Sequence, residues 1–534
     1  MLNVSGDAAQ PAALRSAVLS GTALVGVALF GLAAPTPASA DQQFLKHGSL
    51  VISSSTYDNT QGALASLVAA TQTQAGTTLP NTATATTQAI SGNNYVTVWN
   101  NEKPDASFGV TSAIQLTDVD LSNGKVFRTI QVPTNQVLTS FSSKSELGLH
   151  VLNNWPTVSV TFVGYGTAAQ APGQQPPPAV GVGNIDVSNS DAVQGQDPTN
   201  PVTFAFGKSY AFRRTIVAVD EKGNITYTPT IDYGGNNGRS ALLGSNGLYY
   251  MVGNANNGNA ATFGASNGTN PDVTETTGLV VVTPVNASVA NATIASATSA
   301  EVDPLIQDPL NKNNTLDKPG KDNNYRGITE FGGALYFTKG SGSNGMDTVY
   351  TVSSLPTLAN AATSTISVVP GFPTDSARST NGNHTPFAVF FANPATMYVT
   401  DEGTGGTEDA FPTGTHAGLQ KWTLNASTGQ WQLAYVLTKG LIGNVDTNLT
   451  GPAGQWPDVT TIGLRNLTGR INGDGTVTLW ATTSTLSTSG DNGADPNKVV
   501  QITDQIGATA ANASFTTVAG PVYGTVFRGV GFVE

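Results

Sequence analysis

The chain has 534 residues, with 23 Lys and Arg against 35 Asp and Glu, a formal net charge of −12 and no cysteine. No basic stripe exists to displace counterions from nucleic-acid phosphates, and disulfides, thiolate catalysis and cysteine-based zinc sites are excluded. Charged residues make up only 11% of the chain while Gly (59) and Pro (29) abound, a mixture that suits many short strands joined by turns and leaves few solvated Lys/Glu faces for long helices.

Taken in chain order, residues 1–40 read as a signal peptide. Arg15 precedes an uncharged, largely apolar run, Ser16–Ala34, and Ala38-Ser39-Ala40 is a small-residue cleavage site that starts the mature chain at Asp41. Export to the periplasm, cell surface or medium is expected. No later stretch is apolar over the roughly 18 residues a membrane span needs.

Residues 41–534 read as one all-β domain. "HGSLVISSSTYDN" (47–59) resembles the later strands of a repeating unit without its first strand. An Ala/Thr-rich segment (65–92) follows, then alternating runs over 94–120 and 138–189, the latter interrupted by a Pro-rich loop (168–181). Residues 211–232 form a hairpin about Lys222-Gly223-Asn224, the outer strands of the unit ahead of position 239. Clearer units cover 239–283, with a Gly/Asn-rich insertion (253–275), then 326–352, 387–437 and 461–504. Each reads as an alternating strand, a turn, a second strand, a loop and a third strand. The last segment, "VYGTVFRGVGFVE" (522–534), looks like a first strand again. A degenerate repeat of this kind, at the roughly 40–50 residues a blade requires plus insertions, predicts a single β-propeller of seven blades, with six or eight as alternatives. The terminal strands are expected to complete one blade together and close the ring, which removes exposed edges.

In a propeller the segments entering the first strands converge at the channel mouth. They carry Asn236, Asn237 and Arg239; Asp322, Asn323, Asn324 and Arg326; His384; Asp458; and Arg528, with Lys144 and Glu146 entering from another unit. Guanidinium forks suit carboxylates and sulfates, and amides both donate and accept. The plainer alternative is that Arg and Asp pair to hold neighbouring blades in register while Asn serves turns. Of the four histidines, His47, His150, His384 and His416, the last two would meet if the 401–416 loop folds over the face, near Asp401, Glu402, Glu408 and Asp409. No HExxH or GxSxG motif is present. Acidic turns at Asp491, Asn492, Asp495 and Asn497 and at 401–409 offer oxygen ligands for Ca²⁺ without EF-hand spacing.

The blade pattern, with its "GRSALLGSNGLYY" and "NNYRGITEFGGALYFTKG" segments, resembles secreted bacterial β-propeller proteins, broadly of the YncE/lactonase-like kind. The resemblance covers most of 44–534 and rests on architecture. It implies a divalent metal at the channel mouth, for which Asp322, Asn323 and Asp458 are the nearest counterparts. The leading expectation is an exported, monomeric, non-catalytic propeller that binds a small anion, a glycan or a surface protein at the mouth. The rivals are a Ca²⁺-dependent hydrolase, lactonase or lyase, and an adhesive or structural surface protein.

Overall fold

A computed structural model describes residues 43–56, 111–141, 143–154, 158–167, 212–234, 236–255, 276–287, 297–303, 323–340, 345–376, 384–404, 416–451, 454–487 and 493–534. Residues 1–40, where a signal peptide was expected, the Pro-rich segment 168–181, nearly all of 253–275, and Asp322, Glu408, Asp409, Asp491 and Asn492 lie outside the described residues. Among those described there is no α-helix, and none long and apolar enough to cross a membrane.

The strands form up-and-down antiparallel meanders. The first sheet runs Thr525–Phe532, Ser49–Thr56, Thr111–Asp120, Lys125–Gln131. The second runs His150–Leu152, Ser159–Gly166, Arg214–Asp220, Ile225–Thr230, and Val137–Ser140 bridges it to the first. The third comprises Gly238–Leu243, Tyr249–Gly253, Gly278–Val282 and Ser299–Glu301; the fourth, Ile328–Phe331, Ala334–Lys339, Met346–Val352 and Ser367–Val368. The fifth comprises Pro386–Asn393, Thr396–Asp401, Gly418–Asn425 and Gln430–Leu437; the sixth, Val459–Ile471, Thr476–Leu486, Val499–Gln505 and Thr516–Ala519. The described residues form six meanders; seven units were expected, with six or eight as alternatives. Within 94–120 the described part, Thr111–Asp120, pairs between Ser49–Thr56 and Lys125–Gln131, and 94–110 lies outside the described residues.

The inner strands of the sheets are buried on both faces, as in Ser49–Thr56, Tyr249–Gly253, Gly278–Val282 and Thr396–Asp401, which explains the uninterrupted apolar runs. In the third sheet Leu242, Tyr250, Val252, Leu279 and Val281 pack towards the fourth, whereas Ala241, Tyr249, Met251, Val280 and Val282 pack towards the second. Side chains alternate across a strand, so "LYYMVG" and "GLVVV" fill two cores at once. Six clusters of this kind lie between consecutive sheets: one–two, two–three, three–four, four–five, five–six and six–one. The six–one cluster places Leu50 and Ile52 from near the start of the described chain beside Trp480, Val499, Phe527 and Val530. Face-to-face packing of meanders through successive cores is the arrangement of a β-propeller-like fold.

The first strands meet at the centre. A cavity of about 300 Å³ is lined by residues of the first strands of sheets one, two, four, five and six, among them Val151, Thr329, Phe390, Thr468 and Phe532. Small residues permit this approach. A Cβ on Gly327 would stand 2.3 Å from the Phe387 carbonyl of the next sheet, and one on Gly529 would stand 2.5 Å from that of Leu147. Neither position accepts a side chain.

Candidate functional site

One step ahead of this ring of small residues lies a ring of charge. Three first strands, and the segment leading into a fourth, carry Arg followed by a small or polar residue and then an apolar one: Arg239-Ser240-Ala241, Arg465-Asn466-Leu467 and Arg528-Gly529-Val530 in strands, and Arg326-Gly327-Ile328 at the entrance to Ile328–Phe331. These triplets lie at one level. Gly529 packs against Leu147 and Leu149, Gly148 against Ser240, and the Val530 amide donates to Asn466 Oδ1 at 2.7 Å. All four arginines are buried, at 4–5% exposure.

Two further charges join them. Glu402, just beyond Thr396–Asp401 in the fifth sheet, accepts a hydrogen bond from Arg465 Nε at 3.1 Å and lies 3.8 Å from Lys144 Nζ of the second sheet. Burial alone would push the Glu402 carboxyl up, but Lys144, Arg326 and Arg465 together pull it down to about 2. Lys144 is crowded by neighbours yet 36% of its side chain reaches solvent, so it stands in a recess. Its ammonium feels the attraction of Glu402 and the repulsion of Arg326, Arg465 and Arg239. Five elements of distant sequence therefore place their charges within mutual electrostatic reach.

The arginines differ in how they are satisfied. Arg528 donates to Ser55 Oγ at 3.1 Å and to the Phe141 carbonyl, tying neighbouring strands together. Arg239 donates to Ser145 Oγ and, at 3.0 Å, to Asn254 Oδ1, with its Nε left over. Arg326 is the exception. Its Nε and Nη1 are buried with no hydrogen-bond partner among the described residues. Burial depresses this guanidinium, with Glu402 and Asp347 opposing that and Arg465 reinforcing it.

The remaining expected residues fall into place as follows. Asn236 supplies its carbonyl to the buried Arg214, and Asn237 Nδ2 donates to Ser143 Oγ at 3.0 Å and to Glu146 at 3.3 Å. Glu146 also accepts from the Tyr165 hydroxyl and from Thr139 Oγ1 at 2.7 Å. Asn324 is buried beside Arg326 in the chain, its amide oxygen without a partner. His384 is stacked on His416 with ring centroids 3.9 Å apart, and burial followed by the neighbouring imidazole pulls its pKa down to about 3. Asp401 is buried and accepts hydrogen bonds from the Thr385 and Gly403 amides and Gln420 Nε2, each at 3.0 Å.

Of the residues implied as metal ligands, Asp322 lies outside the described residues. Asn323 Oδ1 accepts from Thr277 Oγ1 at 3.2 Å beside Gly278, whereas Asp458 is exposed ahead of Val459–Ile471. No group of three or more His, Asp or Glu side chains among the described residues is spaced to hold a cation. In the acidic turn near 495, Asp495 accepts from Trp456 Nε1 at 3.1 Å and Ser487 Oγ at 2.6 Å, and Asn497 bridges Thr483 to Phe527. Both side chains hold structure together.

Arg465 was not anticipated, because it lies within an alternating strand and not at its entrance. The legible signal was the repeated Arg–small–apolar triplet, which only alignment of the first strands brings out.

No protein family matches the sequence, and no curated protein does. Solved structures give remote likenesses. A variant of the NanB sialidase from Streptococcus pneumoniae matches with TM-score 0.33 and 8% identity, over 72% of this chain and 62% of that one. A GH32 β-fructofuranosidase from Bombyx mori matches with TM-score 0.29 and 10% identity, over 71% and 63%. A quinoprotein alcohol dehydrogenase-like protein from Bacteroides thetaiotaomicron matches with TM-score 0.25 and 8% identity, over 78% and 85%. The chain spans less than two thirds of the length of the first two. At these scores the likenesses assign no role to any residue here, and the propeller-like reading rests on the sheets themselves.

Proposed function

We propose that the chain is an exported, six-bladed propeller, closed by its terminal strands, whose channel mouth captures a small anion without catalysing its conversion. One observation carries the reading: Arg326 holds a buried guanidinium with unpartnered Nε and Nη1, beside Arg239, Arg465 and Lys144. A buried charge without hydrogen bonds is costly, and a carboxylate or sulfate seated on the fork would satisfy it with charge-assisted bonds. Glu402 neutralises part of the cluster and leaves a cationic surplus at the mouth. Calorimetric titration with sulfate and with acetate tests this. Both are expected to bind the parent protein, with at least tenfold weaker binding to Arg326→Met. Equal affinity in the two proteins would sink the reading.

A further inference from the structure

The polar atoms left over around the arginines are of two kinds, and the second kind narrows the ligand. The donors are Arg326 Nε and Nη1 and Arg239 Nε; the acceptors are the side-chain oxygens of Asn237 and Asn324. Both asparagines are more than nine-tenths buried. Each stands two residues ahead of its arginine, in Asn237-Gly238-Arg239 and Asn324-Tyr325-Arg326.

The orientation of the Asn237 amide is not arbitrary. Its Nδ2 faces the Glu146 carboxylate at 3.3 Å, and an ionised carboxylate only accepts, so the amide oxygen must point the other way. That oxygen makes no hydrogen bond. The site therefore offers cationic donors and neutral acceptors together.

Sulfate, phosphate and acetate have oxygen acceptors for the arginines but, when fully ionised, no donor for the amides. They would leave both asparagines unsatisfied. An ammonium group would supply donors, but Lys144, Arg239, Arg326 and Arg465 outnumber Glu146 and Glu402 and would repel it. Hydroxyl groups donate without charge. We propose that the ligand is a hydroxylated carboxylate of the sugar-acid class. Its carboxylate lies on the Arg326 fork with support from Arg239 Nε, and its hydroxyls donate to Asn237 and Asn324. This rests on the anion-binding reading above.

The test is calorimetric titration of the full chain with glucuronate, acetate, glucose and glycine. Glucuronate is expected to bind at least tenfold more tightly than acetate and glucose, and glycine more weakly than glucuronate. In Asn324→Leu the advantage of glucuronate over acetate is expected to shrink at least fivefold. Should glucuronate bind no better than acetate while acetate still depends on Arg326, the sugar-acid assignment falls and the anion site survives. Should none of the four bind, the anion site falls with it. Glycine matching or exceeding glucuronate overturns the assignment in favour of a zwitterion. The glucuronate-to-acetate ratio on the unmodified protein decides the matter even where Asn324→Leu does not fold.

Discussion

Arg465 Nε stands 3.1 Å from one carboxylate oxygen of Glu402, and Lys144 Nζ reaches within 3.8 Å of the other. Glu402 is thus the built-in anion of a cationic ring, compensating side chains from three sheets. Removing one member of a buried charge group typically costs about 3–5 kcal/mol, because the partners stay buried and uncompensated. Glu402→Gln should lower the urea midpoint accordingly, and added sulfate should restore part of the loss by taking over the vacated role. The sign of the pH effect follows from the depressed carboxyl. Its stabilisation is present above its ordinary pKa of 4.5 and disappears as pH falls towards about 2. Urea midpoints measured across that window should slope less for Glu402→Gln than for the parent. Parallel slopes would show that Glu402 is not the compensating charge.

Arg326→Met should have the opposite effect on stability. The Nε and Nη1 of Arg326 have no hydrogen-bond partner among the described residues, and burial is the largest influence on its guanidinium. Met fills the volume of the arginine stem without the charge. Burying a charge without hydrogen bonds costs free energy, and an apolar group of similar size removes that cost. The urea midpoint should hold or rise while anion binding is lost, the trade expected where a site is strained in favour of its ligand. A fall would mark Arg326 as a structural residue.

How much of this was legible in the sequence depended on whether neighbours in space were neighbours in pattern. Period-two alternation and Gly-rich turns located the first strands at Arg239, Arg326 and Arg528, because those signals are local. The hairpin 211–232 was legible for the same reason: Gly223 adopts φ of 87° between Arg214–Asp220 and Ile225–Thr230. The place of a strand within its sheet was less legible: Thr111–Asp120 alternates as well as any first strand, and its pairing with Ser49–Thr56 and Lys125–Gln131 sets its position. Glu402 was legible only as a carboxylate near the histidines or as an oxygen ligand, since its place in the charge cluster comes from Lys144 and Arg465, which the chain places far away. Entrance position was also a poor guide to role: Arg528 is spent on strand contacts, whereas Arg465, inside a strand, faces the charge cluster.

The His384–His416 stack should make part of the fold acid-labile. Burial is the larger cause of the low His384 pKa, and the second imidazole adds to it. Asp401 is close enough to His416 for attraction, and Gln420 donates to the His416 carbonyl at 3.0 Å. Trp422, 6.4 Å from His384, offers no acceptor for a proton. A His whose folded pKa is depressed to about 3 stabilises the fold above its ordinary pKa of 6.5, and that contribution is lost as pH falls between 6.5 and 3. His384→Phe keeps an aromatic ring against His416 and cannot take up the proton. Its urea midpoint should fall less steeply than that of the parent in this window and match it at pH 8.

Lys421 and Asp504 clamp the fifth sheet to the sixth. Lys421 Nζ, fully buried, donates to Asp504 Oδ2 at 3.2 Å, to the Gln505 carbonyl at 2.7 Å and to the Ala508 carbonyl at 3.1 Å, and lies 2.9 Å from the Tyr435 hydroxyl. Tyr398 and Tyr435 each donate to the same Asp504 oxygen, at 2.6 and 2.7 Å. Every proton on the ammonium has an acceptor, in contrast to Arg326, so this cluster serves the fold and holds nothing for a ligand. Asp504→Asn preserves the shape but removes the charge that compensates Lys421. Destabilisation of about 3–5 kcal/mol is expected. Anion affinity should stay within about twofold, because neither residue belongs to the charge cluster around Glu402. A large change in affinity with little loss of stability would place Lys421 in the binding machinery and refute the division between clamp and site.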